Sequence, residues 1–309
     1  MWTELLSPIV VTSADDDQRT ALSILLCNLD SEEKEFQLQK MQASVDQGEL
    51  SLDGLLLARL DQAAVGALLL TIQSDATAYV WPPVIPPNST QVTEAASSAL
   101  LKAAVEHIEA RNCWIGHSIL APNDPKLDVM ERAGVERLVE LRVMDCVVAQ
   151  KLTEPDGQKL CRIPYDTATD SRFKATLQQT YIDTRDCPEI VGLRTSTEAL
   201  EGHRLAGSSI DAFWYLYQVD GEDAAILLIA EDSKLAEREI SYLGVTPKFR
   251  RQGLARRITA EALFDAATAG MQSVTLSVDE RNEPAITLYE SLGFVLRSRQ
   301  IVHAVKIRR

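Results

Sequence analysis

Two stretches of the 309-residue chain carry residue types at spacings that suit chemistry. The first is Leu243-Gly-Val-Thr-Pro-Lys-Phe-Arg-Arg-Gln-Gly-Leu-Ala255. It reads as a strand ending at Val245, a turn starting at Pro247, and a helix beginning around Gly253. Within it, Arg250-x-x-Gly253-x-Ala255 places small residues at a helix start. Small residues let a ligand reach the backbone, and free N–H groups at a helix N-terminus favour an anion, above all a phosphate. Arg250 and Arg251 add positive charge. One reading is a pyrophosphate cradle; the other is a basic turn before an ordinary helix. A P-loop is excluded, because Gly-Lys-Ser/Thr is missing, and no GxGxxG follows the first strand to mark a dinucleotide fold.

The second stretch is Asn282-Glu-Pro-Ala-Ile-Thr-Leu-Tyr289-Glu-Ser-Leu-Gly293-Phe294. Tyr289 follows Asn282 by seven residues, about two helical turns, so both share a helix face. A phenol with a pKa of about 10 is a competent proton donor. A tyrosine packed between helix and sheet would show the same spacing.

Together the two stretches resemble the acyl-CoA-binding motifs of the GNAT superfamily of N-acetyltransferases, whose pattern is Arg/Gln-x-x-Gly-x-Gly/Ala. The resemblance is sharp over about 237–300 and extends by element order to about 160–305. It implies acetyl-CoA as co-substrate, no metal, and direct acyl transfer to a primary amine of a small molecule or peptide. It also implies roles. The backbone of Leu243, Gly244 and Val245 would pair with the pantetheine arm and polarise the thioester. After Arg250, the amides of Arg251, Gln252, Gly253, Leu254 and Ala255 would hold the pyrophosphate. Asn282 would contact the coenzyme arm, and Tyr289 would protonate the departing thiolate. Glu239 would be a general base acting through water, although a solvated charge in Glu237-Arg-Glu239 is the plainer reading. The acceptor site would involve the first two helices and their loop, here Tyr181-Ile-Asp-Thr-Arg-Asp-Cys-Pro188. Asp183 and Asp186 there suit either a cationic acceptor or a charged surface loop. Direct transfer gives Cys187 no nucleophilic role, and His203 and His303 are expected to be structural or exposed.

These residues need a scaffold, and the order of elements supplies it. In the second half, helices are expected near 171–181 and 195–206, and strands near 212–219, 224–230 and 237–245. A helix at 254–269, a strand at 273–278, a helix at 283–291 and a strand at 295–305 follow. The first half has the same order: helices at 17–28 and 33–47, strands at 51–60, 63–72 and 76–84, helix 90–111, strand 114–120, helix 126–133 and strand 138–148. Trp81-Pro-Pro-Val-Ile-Pro-Pro87 cannot continue a sheet, since proline lacks the ladder donor. An offset of 159 superimposes Asn282 on Asn123, Pro284 on Pro125, Glu290 on Glu131 and Gly293 on Gly134. Such a repeat points to duplication. The expected fold is α/β (α+β) with two tandem GNAT-like domains, each a mixed, mostly antiparallel sheet flanked by helices. The domains are expected at 1–150 and 151–309, with a polar linker over 150–170. The layout is similar to that of the mycothiol synthases, without a thiol-sugar signature.

The same offset puts Glu94 where Gly253 stands, Met130 where Tyr289 stands and Gln91 where Arg250 stands. A carboxylate facing a pyrophosphate about 4 Å away costs about 4 kcal/mol at an effective dielectric of 20. Methionine cannot donate a proton. The first half is therefore expected to fold without catalysing.

Bulk composition agrees. Apolar residues make up 46% and charged residues 25%, a globular balance. A net charge of −14 argues against nucleic acid as a partner. Five cysteines without CxxC spacing argue against a disulfide framework or zinc. No segment reads as a signal peptide or membrane span, so a cytoplasmic location is expected. Nothing in the sequence fixes the oligomeric state.

Overall fold

A computed structural model of the chain describes residues 9–87, 90–148, 160–205 and 213–307. Contacts divide the chain into two compact units. One falls within Met1–Leu138 together with Val302–Arg309, the other within Val139–Ile301. The division therefore comes earlier than the expected boundary near residue 150. The reason is strand β6 (Glu136–Val147), which runs antiparallel to β11 (Ser273–Asp279) with Ser273 opposite Val147 and Asp279 opposite Leu141. Residues 150–159 of the expected linker lie outside the described residues.

The first unit contains strands β1 (Ile9–Ser13), β2 (Leu55–Leu60), β3 (Ala63–Ile72), β4 (Thr77–Val80) and β5 (Ile115–Leu120). Neighbouring pairs are antiparallel except β4–β5. Helices α1 (Gln18–Leu25), α2 (Ser31–Asp46), α3 (Thr90–Ala110) and α4 (Lys126–Arg132) complete it. Asp30 caps α2, accepting hydrogen bonds from the amides of Glu32 and Glu33 at 3.0 Å. β4 ends at Val80, just before the prolines; beyond it the Trp81 amide bonds back to the Leu69 carbonyl and Val84 bridges to Ala67. β1 was not expected; at five residues it is too short for a periodic signal.

The second unit follows the expected order. It comprises β7 (Cys161–Pro164), α5 (Asp170–Thr180), α6 (Ser196–Arg204), β8 (Trp214–Val219), β9 (Glu222–Asp232), β10 (Glu237–Val245), α7 (Leu254–Thr268), β11, α8 (Glu283–Glu290) and the start of β12 (Val295–Lys306). The sheet is antiparallel except between β10 and β11. β7 falls in the stretch expected to be a linker. Thr195 and Glu198 close α6 with a reciprocal capping box. Leu254, Ile258, Ala262, Leu263 and Ala266 on one face of α7 pack against Ile240, Val274 and Leu276 of the sheet. Each fully buried Leu or Ile contributes about 1.5–3 kcal/mol, and this packing fixes where α7 starts. α4 and α8 both end at a glycine with left-handed backbone, Gly134 at φ +82° and Gly293 at φ +92°. These are the two glycines that the 159-residue offset relates. All five cysteines are free thiols.

Candidate active site

The second unit holds a cleft of about 860 Å³. It arises where β10 and β11 separate. Their parallel pairing runs from Glu237 opposite Ser273 only to Ile240 opposite Leu276, although β10 continues to Val245 and β11 to Asp279. On its other side β10 stays paired with β9 as far as Val245, with a bulge at Ser241. One edge of Ser241–Val245 thus faces the cleft instead of a neighbouring strand, presenting the N–H and C=O groups that an extended ligand arm can pair with. Leu243, Gly244 and Val245 line this edge. Gly244 also has a packing role, since a Cβ there would lie 2.7 Å from Cβ of Thr180. Only glycine lets α5 close this tightly onto the strand.

The chain then turns through Pro247–Phe249 into α7. Arg251 and Gly253 both adopt left-handed backbone, at φ +62° and +80°. The first turn of α7 has no side-chain cap. Intrahelical bonding begins with the amide of Arg257 donating to the carbonyl of Gly253, so the amides of Leu254, Ala255 and Arg256 precede the ladder. Space around Gly253 is open to at least 4 Å. Arg250, Arg251, Gly253, Leu254 and Ala255 all line the cleft; Gln252 does not, and its side-chain amide donates to the carbonyl of Lys248 at 2.9 Å. The guanidinium of Arg250 donates to the carbonyls of Val245 and Thr180, both at 3.0 Å. Arg250 therefore rivets the turn to β10 and α5, and much of its hydrogen-bonding capacity is spent there.

Asn282 stands at the N-terminus of α8 without a capping bond, and it lines the cleft together with Tyr289. Tyr289 is 8% exposed and packs against Phe294. Burial, and secondly the charge of Asp186, make its phenol hold its proton more tightly than usual. Such a group donates rather than abstracts a proton. Glu239, expected as a base, is not among the cleft-lining residues. Ile240, the next residue, lines the cleft, while Glu239 lies where β10 is still paired with β11, opposite Thr275. Burial and the neighbouring Glu237 raise the Glu239 pKa.

From the loop after α5, Asp183, Thr184, Arg185 and Asp186 line the cleft. Burial and nearby carboxylates push the Cys187 thiol well up, away from thiolate chemistry. His203 packs against the ring of Tyr242, and His303 contacts Glu131 in the first unit. Polar lining residues outside both motif stretches include Thr180, Ser241, Tyr242, Arg256 and Ser277. Ser277 left a trace, as an exposed polar position in the strand Ser273–Asp279. The bulge that turns Tyr242 toward Thr180, whose hydroxyl lies 2.7 Å away, has no sequence signature. Among the described residues no group of three His, Cys, Asp or Glu side chains is arranged to hold a metal. Among them, too, no helix is long and apolar enough to cross a membrane.

The equivalent place in the first unit is closed. A void of only about 10 Å³ lies there, lined by Val80, His117, Ser118 and Met130 among others. By the 159 offset His117, Ser118 and Met130 correspond to Leu276, Ser277 and Tyr289. Ser118 is fully buried and its hydroxyl donates to the carbonyl of Val80, closing β4 onto β5. Met130 is buried in the core, and Glu94 lies in the first turns of α3, paired with Arg132.

Comparison with known proteins agrees with this geometry. Residues 178–294 match the acetyltransferase (GNAT) family. A mycothiol acetyltransferase of Nocardiopsis dassonvillei is 39% identical over 66 residues, covering 21% of this chain and 20% of the relative. That of Corynebacterium glutamicum is 29% identical over 106 residues, covering 33% of this chain and 36% of the relative. The first of these matches thus spans about a fifth of its relative's length. A GCN5-related N-acetyltransferase from Sphaerobacter thermophilus shares the fold at a TM-score of 0.58 and 18% identity, over 97% of this chain and 96% of that one. A glucosamine N-acetyltransferase region of a fungal β-N-acetylglucosaminidase does so at a TM-score of 0.59 and 14% identity, over 97% and 38% of the two chains. The family match thus lies within the second unit and includes both motif stretches, while the likeness to solved acetyltransferase structures extends the shared fold over nearly the whole chain.

Proposed function

We propose that the second unit transfers an acetyl group from acetyl-CoA directly to a primary amine. The observation that supports this most is the separation of β10 from β11 beside the uncapped start of α7. It leaves a strand edge for a pantetheine-like arm and free helix amides for a pyrophosphate in one cleft. The residues present fit the coenzyme: Gly253 leaves its anion site open, and Arg251 and Asn282 line the same cleft. Bound acetyl-CoA supplies an activated thioester. The amides of Val245 and its neighbours then hold the carbonyl as negative charge develops on its oxygen. The amine nitrogen attacks the carbonyl carbon, the carbon–sulfur bond breaks, and Tyr289 gives its proton to the leaving sulfur. The first unit takes no part in this chemistry, and the protein works in aqueous solution.

Calorimetry with acetyl-CoA, followed by thiol release in the presence of amines, tests this reading. One site per chain with amine-dependent thiol release is expected. Binding without release for any amine would leave a coenzyme-binding regulator, and absence of binding would remove the acetyl donor.

A further inference from the structure

Resting on that reading, we propose that Asp186 receives the acceptor's ammonium group and takes its proton, opposite the proton donor Tyr289. Asp186 lines the cleft on the loop that follows α5. Its Oδ1 accepts the amide of Asp279 at 3.0 Å, and its own amide donates to Oγ1 of Thr184 at 3.1 Å. The next residue, Cys187, adopts φ +44° and donates its amide to Oδ2 of Asp279 at 3.1 Å. Asp279 is fully buried and accepts from the amide, Nε and Nη2 of Arg281 at 2.9, 2.9 and 2.6 Å. Arg281 in turn grips Glu189 at 2.5 and 3.0 Å. A buried carboxylate is costly unless fully bonded. Here that cost goes into a network that stitches residues 186–189 to the end of β11 and holds one carboxylate rigidly in the cleft.

Among the described residues, Oδ2 of Asp186 accepts no hydrogen bond, so one oxygen is left for a ligand. Asp186 also lies close enough to Tyr289 and Tyr242 for its charge to raise the pKa of both phenols. Proton acceptor and proton donor both line the one cleft. The other charged or titratable groups around Asp186 are Asp183, Arg185, Cys187 and Glu189 on its own loop, Asp279 and Arg281 from β11 and the turn after it, Tyr242 from β10 and Tyr289 from α8. Burial raises the pKa of Asp186; the hydrogen bond from the Asp279 amide opposes this, the Asp279 charge adds to it, and Arg281 opposes it more weakly. A carboxylate raised in this way is better matched to deprotonating an ammonium near neutral pH. In the step itself, one N–H proton passes to Asp186, and the freed lone pair forms the new bond to the thioester carbon. The sulfur leaves with the proton of Tyr289, the nitrogen loses its second proton to water as the amide forms, and solvent then returns a proton to Tyr289 and takes one from Asp186.

The test uses the full chain and four amine probes: spermidine, glucosamine, tyramine and a lysine-containing tripeptide. Thiol release is measured for wild type and for Asp186→Asn, which keeps the Oδ1 acceptor for Asp279. A loss of at least 100-fold in kcat/KM is expected on the best probe, with acetyl-CoA affinity by calorimetry unchanged. The wild-type kcat/KM should fall as pH drops through the raised pKa of Asp186, and this acid limb should vanish from the residual activity of the variant. A variant within threefold of wild type overturns the assignment. So does a variant that also loses acetyl-CoA affinity, since Asp186 would then be structural. If wild type binds acetyl-CoA but releases thiol with none of the probes, the transferase reading itself fails, and the assignment with it.

Discussion

The two halves of this chain share an element order and a 159-residue offset, yet one holds a cleft of about 860 Å³ and the other, at the same place, a void of about 10 Å³. The difference is concentrated at a few positions. In the second half β10 outruns its pairing with β11, and Ser277 is exposed in the gap. In the first half β4 stops at Val80, prolines follow, and Ser118 binds the Val80 carbonyl. Where Gly253 opens α7 with free amides, α3 is already under way at Glu94. Where Tyr289 meets the cleft, Met130 fills the core. A ligand site in this fold is thus a local failure of strand pairing that the rest of the core tolerates. It is closed by one hydroxyl, one methionine and a shorter strand.

Exchanging these residues sharpens the comparison. Gly253→Glu copies the first-half residue, putting a carboxylate at the helix start and forcing a side chain onto φ +80°. At roughly 4 kcal/mol it should weaken acetyl-CoA binding by about a thousandfold, read by calorimetry. A second coenzyme site surviving in this variant would break the comparison, because it would have to lie in the first half. Tyr289→Phe removes only the hydroxyl. Initial rates should drop about 10²-fold in kcat with acetyl-CoA affinity intact. Because burial and Asp186 raise the phenol's pKa, its acid form persists throughout pH 6–9, so no alkaline fall from Tyr289 is expected there. Gly244→Ala drives a methyl to 2.7 Å from Thr180 and should cost about 1–3 kcal/mol in chemical denaturation. Unchanged stability would mean that α5 is not tightly seated on β10. Ser118→Ala strands a buried carbonyl and should cost about 1 kcal/mol without changing acetyl-CoA affinity. A change in that affinity would show that the first half is not silent.

Most of the fold was legible because its signals are local. The apolar stripe of α7, the prolines after β4 and the glycines ending α4 and α8 each act within a few residues. Of the site, the parts built from backbone were legible too, since Gly253 and Asn282 mark where helices begin. What escaped were features set by tertiary geometry. Ile240 lines the cleft and Glu239 does not, and no residue type announces the bulge that follows at Ser241. Arg250 reads as charge for a phosphate but is spent on two carbonyls. The network from Asp186 to Glu189 links positions about 90 residues apart in sequence, beyond any spacing rule.

The partition of strands between the two units has a consequence for the timing of synthesis. The first unit is not finished when residue 138 emerges from the ribosome. It still lacks Val302–Arg309, a stretch that contributes the buried His303 beside Glu131 and the amide of Ile307 bound to the carbonyl of Trp114. Those residues arrive roughly 160 positions later, about 10–30 s at ordinary elongation rates. The first unit, though translated first, is completed last.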